Sequence, residues 1–128
     1  MPLRILLVLF IAILLGACRT PVPIYQVQDA TVATNAPNAS KDDVAKAIIR
    51  AGGSLGWVIR HNGPNALIGT LNLRTHTAIV DIPYSIKSYS ILYKDSADLN
   101  YTGTAIHSNY NGWIQNLQKN IDFQLNTL

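Results

Sequence analysis

The chain has 128 residues, 13% of them charged, and ten Lys and Arg against seven acids give a net charge of +3. That length suits one domain with a modest core rather than two, and the basic residues stand singly from Arg19 to Lys119, which argues against a nucleic-acid surface. A single cysteine excludes an internal disulfide, so the fold must hold by packing alone.

Met1-Pro2-Leu3-Arg4 is a short basic head, Ile5 to Leu15 is an unbroken run of eleven apolar residues, and Gly16-Ala17 are small. This is the three-part layout of a secretory signal peptide. As a helix the run reaches about 16 Å, against a hydrocarbon core of roughly 30 Å. It suits an export machine better than a permanent span. The ending Leu15-Gly16-Ala17-Cys18 resembles the lipobox of bacterial lipoproteins. The resemblance implies cleavage between Ala17 and Cys18, a diacylglycerol on the Cys18 sulfur, and a further acyl chain such as palmitate on the new amine. Several acyl chains anchor stably where one is marginal. Arg19 stands where Asp would favour retention in the inner membrane. By the same resemblance its presence implies the outer membrane, on the periplasmic side, with the inner membrane as the alternative.

Three regions are expected: a signal peptide over 1–17, a lipidated flexible tether over 18–39, and one α+β domain over 40–128. In the tether, Pro21, Pro23 and Pro37 are set among Thr, Asn, Gln and Ala with no sustained apolar period. Such a stretch has little to bury against the cost of ordering it, and its mean reach would be about 25 Å. An edge strand over Ile24–Val27 is the alternative.

The domain opens at Ser40, which with Asp43 resembles a capping box that uses Asp in place of Glu or Gln. Val44, Ala47, Ile48 and Ala51 share one face, and Gly52-Gly53 end the period, so a helix is predicted over 41–51. Four strand signals follow. Trp57 to Arg60 is rich in strand formers, and Ala66–Leu73 and Thr77–Ile82 alternate. In the fourth, Ser88–Lys94, Tyr89, Ile91 and Tyr93 share one face. The links are short, which favours an antiparallel meander over parallel pairing. Asp95 to Thr104 reads as a polar loop with Leu99 and Tyr101 as inward hooks. Tyr110, Trp113, Ile114, Leu117, Ile121 and Leu125 then recur at helical spacing, with Ser108 as the expected N-cap. The predicted order is α-β-β-β-β-α, a four-stranded antiparallel meander with both helices covering one face.

Chemistry-bearing residues are sparse. His61, His76 and His107 are far apart in sequence and show no paired metal-ligand spacing. All seven acids are Asp. Asp42-Asp43 fits helix-start electrostatics, while Asp95 and Asp98 lack the DxDxDG calcium pattern. Asp81 beside His61 or His76 would make a pair without a nucleophile. No catalytic, cofactor-binding or metal-binding residue is therefore assigned. Trp57, Trp113 and the tyrosines are expected mainly in the core. The sheet face opposite the helices, carrying Ile68, Thr70, Ile79 and Leu92 among Asp81, Ser88 and Ser90, is the better place for a partner.

The segments Tyr89-Ser90-Ile91-Leu92-Tyr93, Asp98-Leu99-Asn100-Tyr101 and Tyr110-Asn111-Gly112-Trp113-Ile114-Gln115-Asn116-Leu117 resemble small uncharacterised lipoproteins of proteobacteria. No activity comes with that likeness; it implies topology and location only. The leading reading is a non-enzymatic module that binds an envelope protein or other envelope component. A small-ligand or glycan-binding domain is second, and an enzyme third. Intact-mass analysis of protein made in a bacterium should show residues 1–17 gone and the added mass of diacylglycerol and acyl chains. A product of bare polypeptide mass, or one unaffected by Cys18→Ser, would contradict the lipobox reading.

Overall fold

The computed structural model describes residues 20–128, so Ala17, Cys18 and the signal peptide over 1–17 lie outside the described residues. The first helix forms where the capping residues predict it. The Ser40 hydroxyl accepts from the Asp43 N–H at 3.1 Å, and the Asp43 carboxylate accepts from the Ser40 N–H at 2.9 Å. This reciprocal cap satisfies two donors that a helix start otherwise leaves free. The same hydrogen bonds, from the Ser40 backbone first and its side chain second, hold the Asp43 carboxyl below its ordinary value of 3.8. Helix α1 spans Lys41–Gly53 and fully buries Val44, Ala47, Ile48 and Ala51. At its end a methyl group on Gly52 would overlap the Ile59 side chain. The helix terminus thus packs directly on the strand that follows.

That strand is β3, Val58–His61, followed by β4 (Ala66–Leu73), β5 (His76–Pro83) and β6 (Ser88–Ala97), each antiparallel to the next. The β3–β4 turn uses Gly63 at φ +84, a conformation that suits a residue without Cβ. In register, Leu67, Gly69 and Leu71 oppose Ile82, Val80 and Ala78, and this face is buried. In β6, Tyr93 opposes Val80 while Asp95 opposes Ile79, so Lys94 is the extra residue of a bulge. The bulge lets the strand continue past its predicted end at Lys94.

The meander is not the whole sheet. Strand β2, Val27–Thr31, adds antiparallel to the outer side of β6 and gives a five-stranded order β2-β6-β5-β4-β3. Strand β1, Val22–Pro23, pairs with β7, Ala105–Ile106, in a separate two-stranded ribbon. Both additions correct the expected flexible tether over 18–39, within its described part from residue 20 on. They also shift the alternative edge strand, which starts at Val27 rather than running over Ile24–Val27.

The reason lies in distant partners. Val27 is buried and opposes Ile91. The Tyr25 N–H donates to Asn111 Oδ1 at 2.9 Å, and Asn111 Nδ2 donates to the Pro23 carbonyl at 2.9 Å. The Tyr25 hydroxyl donates to Gln118 Oε1 at 2.5 Å, and the Tyr93 N–H donates to Gln26 Oε1 at 2.8 Å. The Asn111 side chain thus satisfies backbone groups that the local sequence leaves without a regular ladder, while the segment's own Tyr25 and Gln26 side chains bond Gln118 and the β6 backbone.

Helix α2, Ser108–Asn126, starts one residue earlier than its predicted cap implies. His107 is the N-cap, with Nδ1 accepting from the Asn109 N–H at 3.1 Å. Tyr110, Ile114, Leu117, Ile121 and Leu125 are fully buried. The Tyr89 hydroxyl of β6 donates to Asp122 of α2 at 2.6 Å, and the Tyr93 and Tyr110 rings meet edge-on at 5.8 Å. The two helices and the buried face of the sheet share one core. Burial, and then the carboxylate beside it, push the Tyr89 hydroxyl well above its ordinary pKa. Among the described residues no helix is long and apolar enough to cross a membrane.

The pinned N-terminal segment makes a direct expectation. Val27→Ala should lower the unfolding free energy by about 1–2 kcal/mol, read from urea titration followed by tryptophan fluorescence. A freely moving segment would leave the midpoint where it was.

Candidate functional site

Alternation along the strands sends every second side chain away from the helices. On β3 and β4 these are Val58, Arg60, Ile68, Thr70 and Asn72; on β5 they are Thr77, Ile79 and Asp81. The register sets Ile68 between Arg60 and Asp81, and Thr70 between Val58 and Ile79. Leu92 of β6 lies beside Asp81, and Lys94 at the bulge reaches back so that Nζ is 3.4 Å from Asp81 Oδ1. None of these side chains is fully buried, and Val58 is 54% exposed. The face is therefore a mixed strip of Val, Ile and Leu with one ion pair and one further cation. Its edge by β3 is hollowed into a shallow groove of about 300 Å³, lined by Val58, Arg60, Ile68, Thr70 and Asn72.

At the β2 edge the strip is closed. The Asp29 N–H donates to Ser90 Oγ at 2.9 Å, and Ser90 is buried. Asp29 adopts φ +51, a left-handed turn that Asp tolerates better than most residues. Ser90, one of the residues expected to be open to a partner, is thus used internally. Ile68, Thr70, Ile79, Leu92 and Asp81 remain on the uncovered side.

The histidines are distributed differently from their sequence positions. His61 ends β3 and is exposed. His76, the first residue of β5, and His107, the N-cap of α2, come together with ring centroids 6.4 Å apart, and the Trp113 ring lies 6.1 Å from His76. His76 Nδ1 is 2.7 Å from the Asp98 carbonyl oxygen and 3.6 Å from Asp98 Oδ2. The Thr75 hydroxyl donates to that same Oδ2 at 2.5 Å. Its proton is thus committed to the carboxylate rather than to an imidazole, which is the opposite of how a nucleophile is activated. Asp98 itself sits at φ +58, and its contacts tie the β4–β5 turn to the segment after β6. No group of three or more metal-ligating side chains occurs among the described residues. Asp81 pairs with Lys94, not with His61 or His76.

The aromatics follow the expected division in part. Trp57, Tyr84, Tyr89 and Tyr110 are buried, and Trp113 is partly buried against the core. Leu99 is an inward hook, 1% exposed, whereas Tyr101 stays 41% exposed and stacks on Tyr93 at 4.0 Å. A small hollow between Trp57, Leu71 and Trp113 has about 80 Å³, well short of the several hundred Å³ of an ordinary ligand pocket.

The residue that sequence reasoning passed over is Asn111. It lies in the Tyr110–Leu117 stretch quoted above, yet its polarity marks it as solvent-facing on a helical wheel. Its side-chain amide instead acts as a substitute peptide group for β1. A polar residue flanking a helix start was the available signal, and nothing in the sequence named its partner. No known protein family, curated protein or solved structure matches the chain.

Because the outer strip contributes little to packing, folding should tolerate changes there. Arg60→Ala, Thr70→Ala and Asp81→Asn should each alter the unfolding free energy by less than about 0.5–1 kcal/mol. Leu67→Ala, on the buried side of the same strand as Thr70, should cost about 2–5 kcal/mol. Parallel denaturant titrations of the four variants check this division.

Proposed function

We propose that this chain is a bacterial lipoprotein, anchored through Cys18 and facing the periplasm, whose open sheet face docks another component of the cell envelope, most simply a protein. The anchoring half of this reading is supported by the resemblance of Leu15-Gly16-Ala17-Cys18 to a lipobox. The docking half is carried by one observation: two helices cover one side of the five-stranded sheet, and the other side exposes a strip of Val58, Ile68, Thr70, Ile79 and Leu92 punctuated by Arg60 and the Asp81–Lys94 pair.

Such a strip has the composition of a recognition surface. Apolar side chains on rigid strands give area at low entropic cost, and isolated charges fix register and exclude wrong partners. The exposed pairing edge at β3 is only four residues long and carries Arg60, which discourages edge-to-edge addition. The geometry at His76, Asp98 and Thr75 supports a turn-locking role, so the reading assigns no catalytic residue and no cofactor. Outer-membrane residence remains part of the proposal, on the strength of Arg19 following the anchor residue.

A photo-crosslinking amino acid placed in turn at Ile68, Ile79 and Leu92, in full-length protein expressed in a bacterium, tests the docking half. All three positions should give one adduct of the same mass, and a probe at Lys46 on the exposed side of α1 should not. Absence of any adduct from the three sheet positions, or an identical yield from Lys46, contradicts it.

A further inference from the structure

The two-stranded ribbon bounds how far a group on Cys18 can lie from the body. Val22 opposes Ile106, next to His107 at the start of α2, and Pro23 opposes Ala105. Cys18 stands four residues before Val22, and four residues of chain span at most about 14 Å. The ribbon cannot peel away freely, because Asn111 holds Pro23 and Tyr25 from both sides of one peptide pair.

The same end of the body also carries the β4–β5 turn. The Thr75 hydroxyl and the His76 ring bind Asp98, the His107 N–H donates to the Leu99 carbonyl, and the His76 and His107 rings are neighbours. Leu73, 44% exposed, and the exposed Arg74 are thereby presented beside the first turn of α2. The opposite end displays apolar side chains too, in Ile86 at 55% and Phe123 at 63% exposure. Surface chemistry alone does not choose between the two ends. Covalent reach does, because β5 separates the two turns by about 23 Å, more than the chain from Val22 to Cys18 can cover.

We propose that the end formed by the β4–β5 turn and the first turn of α2 rests on the lipid headgroup layer, so that the body is held in one orientation on the membrane; this rests on the anchoring reading above. Strands β4 and β5 then rise away from the bilayer, and the open sheet face looks sideways along it. A docking partner is accordingly a neighbour at the same membrane surface. Leu73 supplies an apolar contact at the headgroup boundary, and Arg74 supplies a cation for anionic headgroups.

The test uses the full-length protein, purified after expression in a bacterium and reconstituted into vesicles of phosphatidylethanolamine and phosphatidylglycerol. Lipidation occupies the Cys18 sulfur, so an introduced cysteine is the sole reactive thiol and accepts one environment-sensitive fluorophore. Leu73→Cys and Asn109→Cys report on the near end, and Ile86→Cys and Phe123→Cys report on the far end. Quenching by headgroup-labelled lipid should be about threefold or more stronger at both near positions than at either far one, as shallow interfacial contact requires. Lipidated protein that floats with the vesicles yet is quenched equally at both ends overturns the orientation and leaves the anchoring reading intact. Protein of bare polypeptide mass that stays with the aqueous phase overturns both.

Discussion

The carboxamide of Asn111 stands in for a strand. Its oxygen takes the Tyr25 N–H and its nitrogen gives to the Pro23 carbonyl, both at 2.9 Å, so one side chain on α2 satisfies the donor and the acceptor that a neighbouring strand would have satisfied. The N-terminal strands build on that substitution, together with the Ile24 N–H to Thr104 carbonyl bond and the Tyr25–Gln118 contact. With Pro23 and Tyr25 held, β1 can pair with β7, Gln26 can reach the Tyr93 N–H, and Val27 can enter the core against β6. A segment with almost no apolar period of its own is ordered by partners it does not carry.

The second constraint is an imbalance of layers. Two helices cover one face of the five-stranded sheet, and among the described residues no helix covers the other. The strands meet that shortage by alternation: Leu67, Leu71, Val80 and Ile82 go inward, while Arg60, Thr70 and Asp81 go outward. The outward set is neither fully polar nor fully apolar. Alternation sets Tyr93 on the inner side against Val80 and Lys94 on the outer one, where its amine reaches Asp81. The bulge at Lys94 then sets Asp95 opposite Ile79 on the outer face rather than opposite the buried Ala78.

What was legible in the sequence was what is written locally. Ser40 and Asp43 announce a helix start by their spacing, and the observed cap has both hydrogen bonds. The outward and inward sets of β4 and β5 can be read from period two alone, and the apolar stripe of α2 from spacings of three and four. The candidate docking strip was legible for the same reason, except at Ser90, whose burial comes from a turn at Asp29 on a strand that local pattern does not reveal. The N-terminal strands were not legible, because Pro21, Pro23 and a polar neighbourhood describe a tether equally well until Asn111 and Gln118 are placed beside them. The meeting of His76 with His107 was hidden too: one opens β5 and the other caps α2, and periodicity within an element says nothing about which ends of different elements meet.

Tyr25 and Asn111 are 86 positions apart, and Asn35 reaches the Asn126 carbonyl across 91. Segments from either side of the sheet meander therefore close on one another, as in a ring fastened by a clasp. Contacts of such long separation come late, since the loop between them must be closed before they form. A polypeptide emerging from its N-terminus onward can build α1 and the meander while α2 is still missing, but the β1–β7 ribbon waits for Asn111. The architecture thus stays incomplete until the start of α2 has been made.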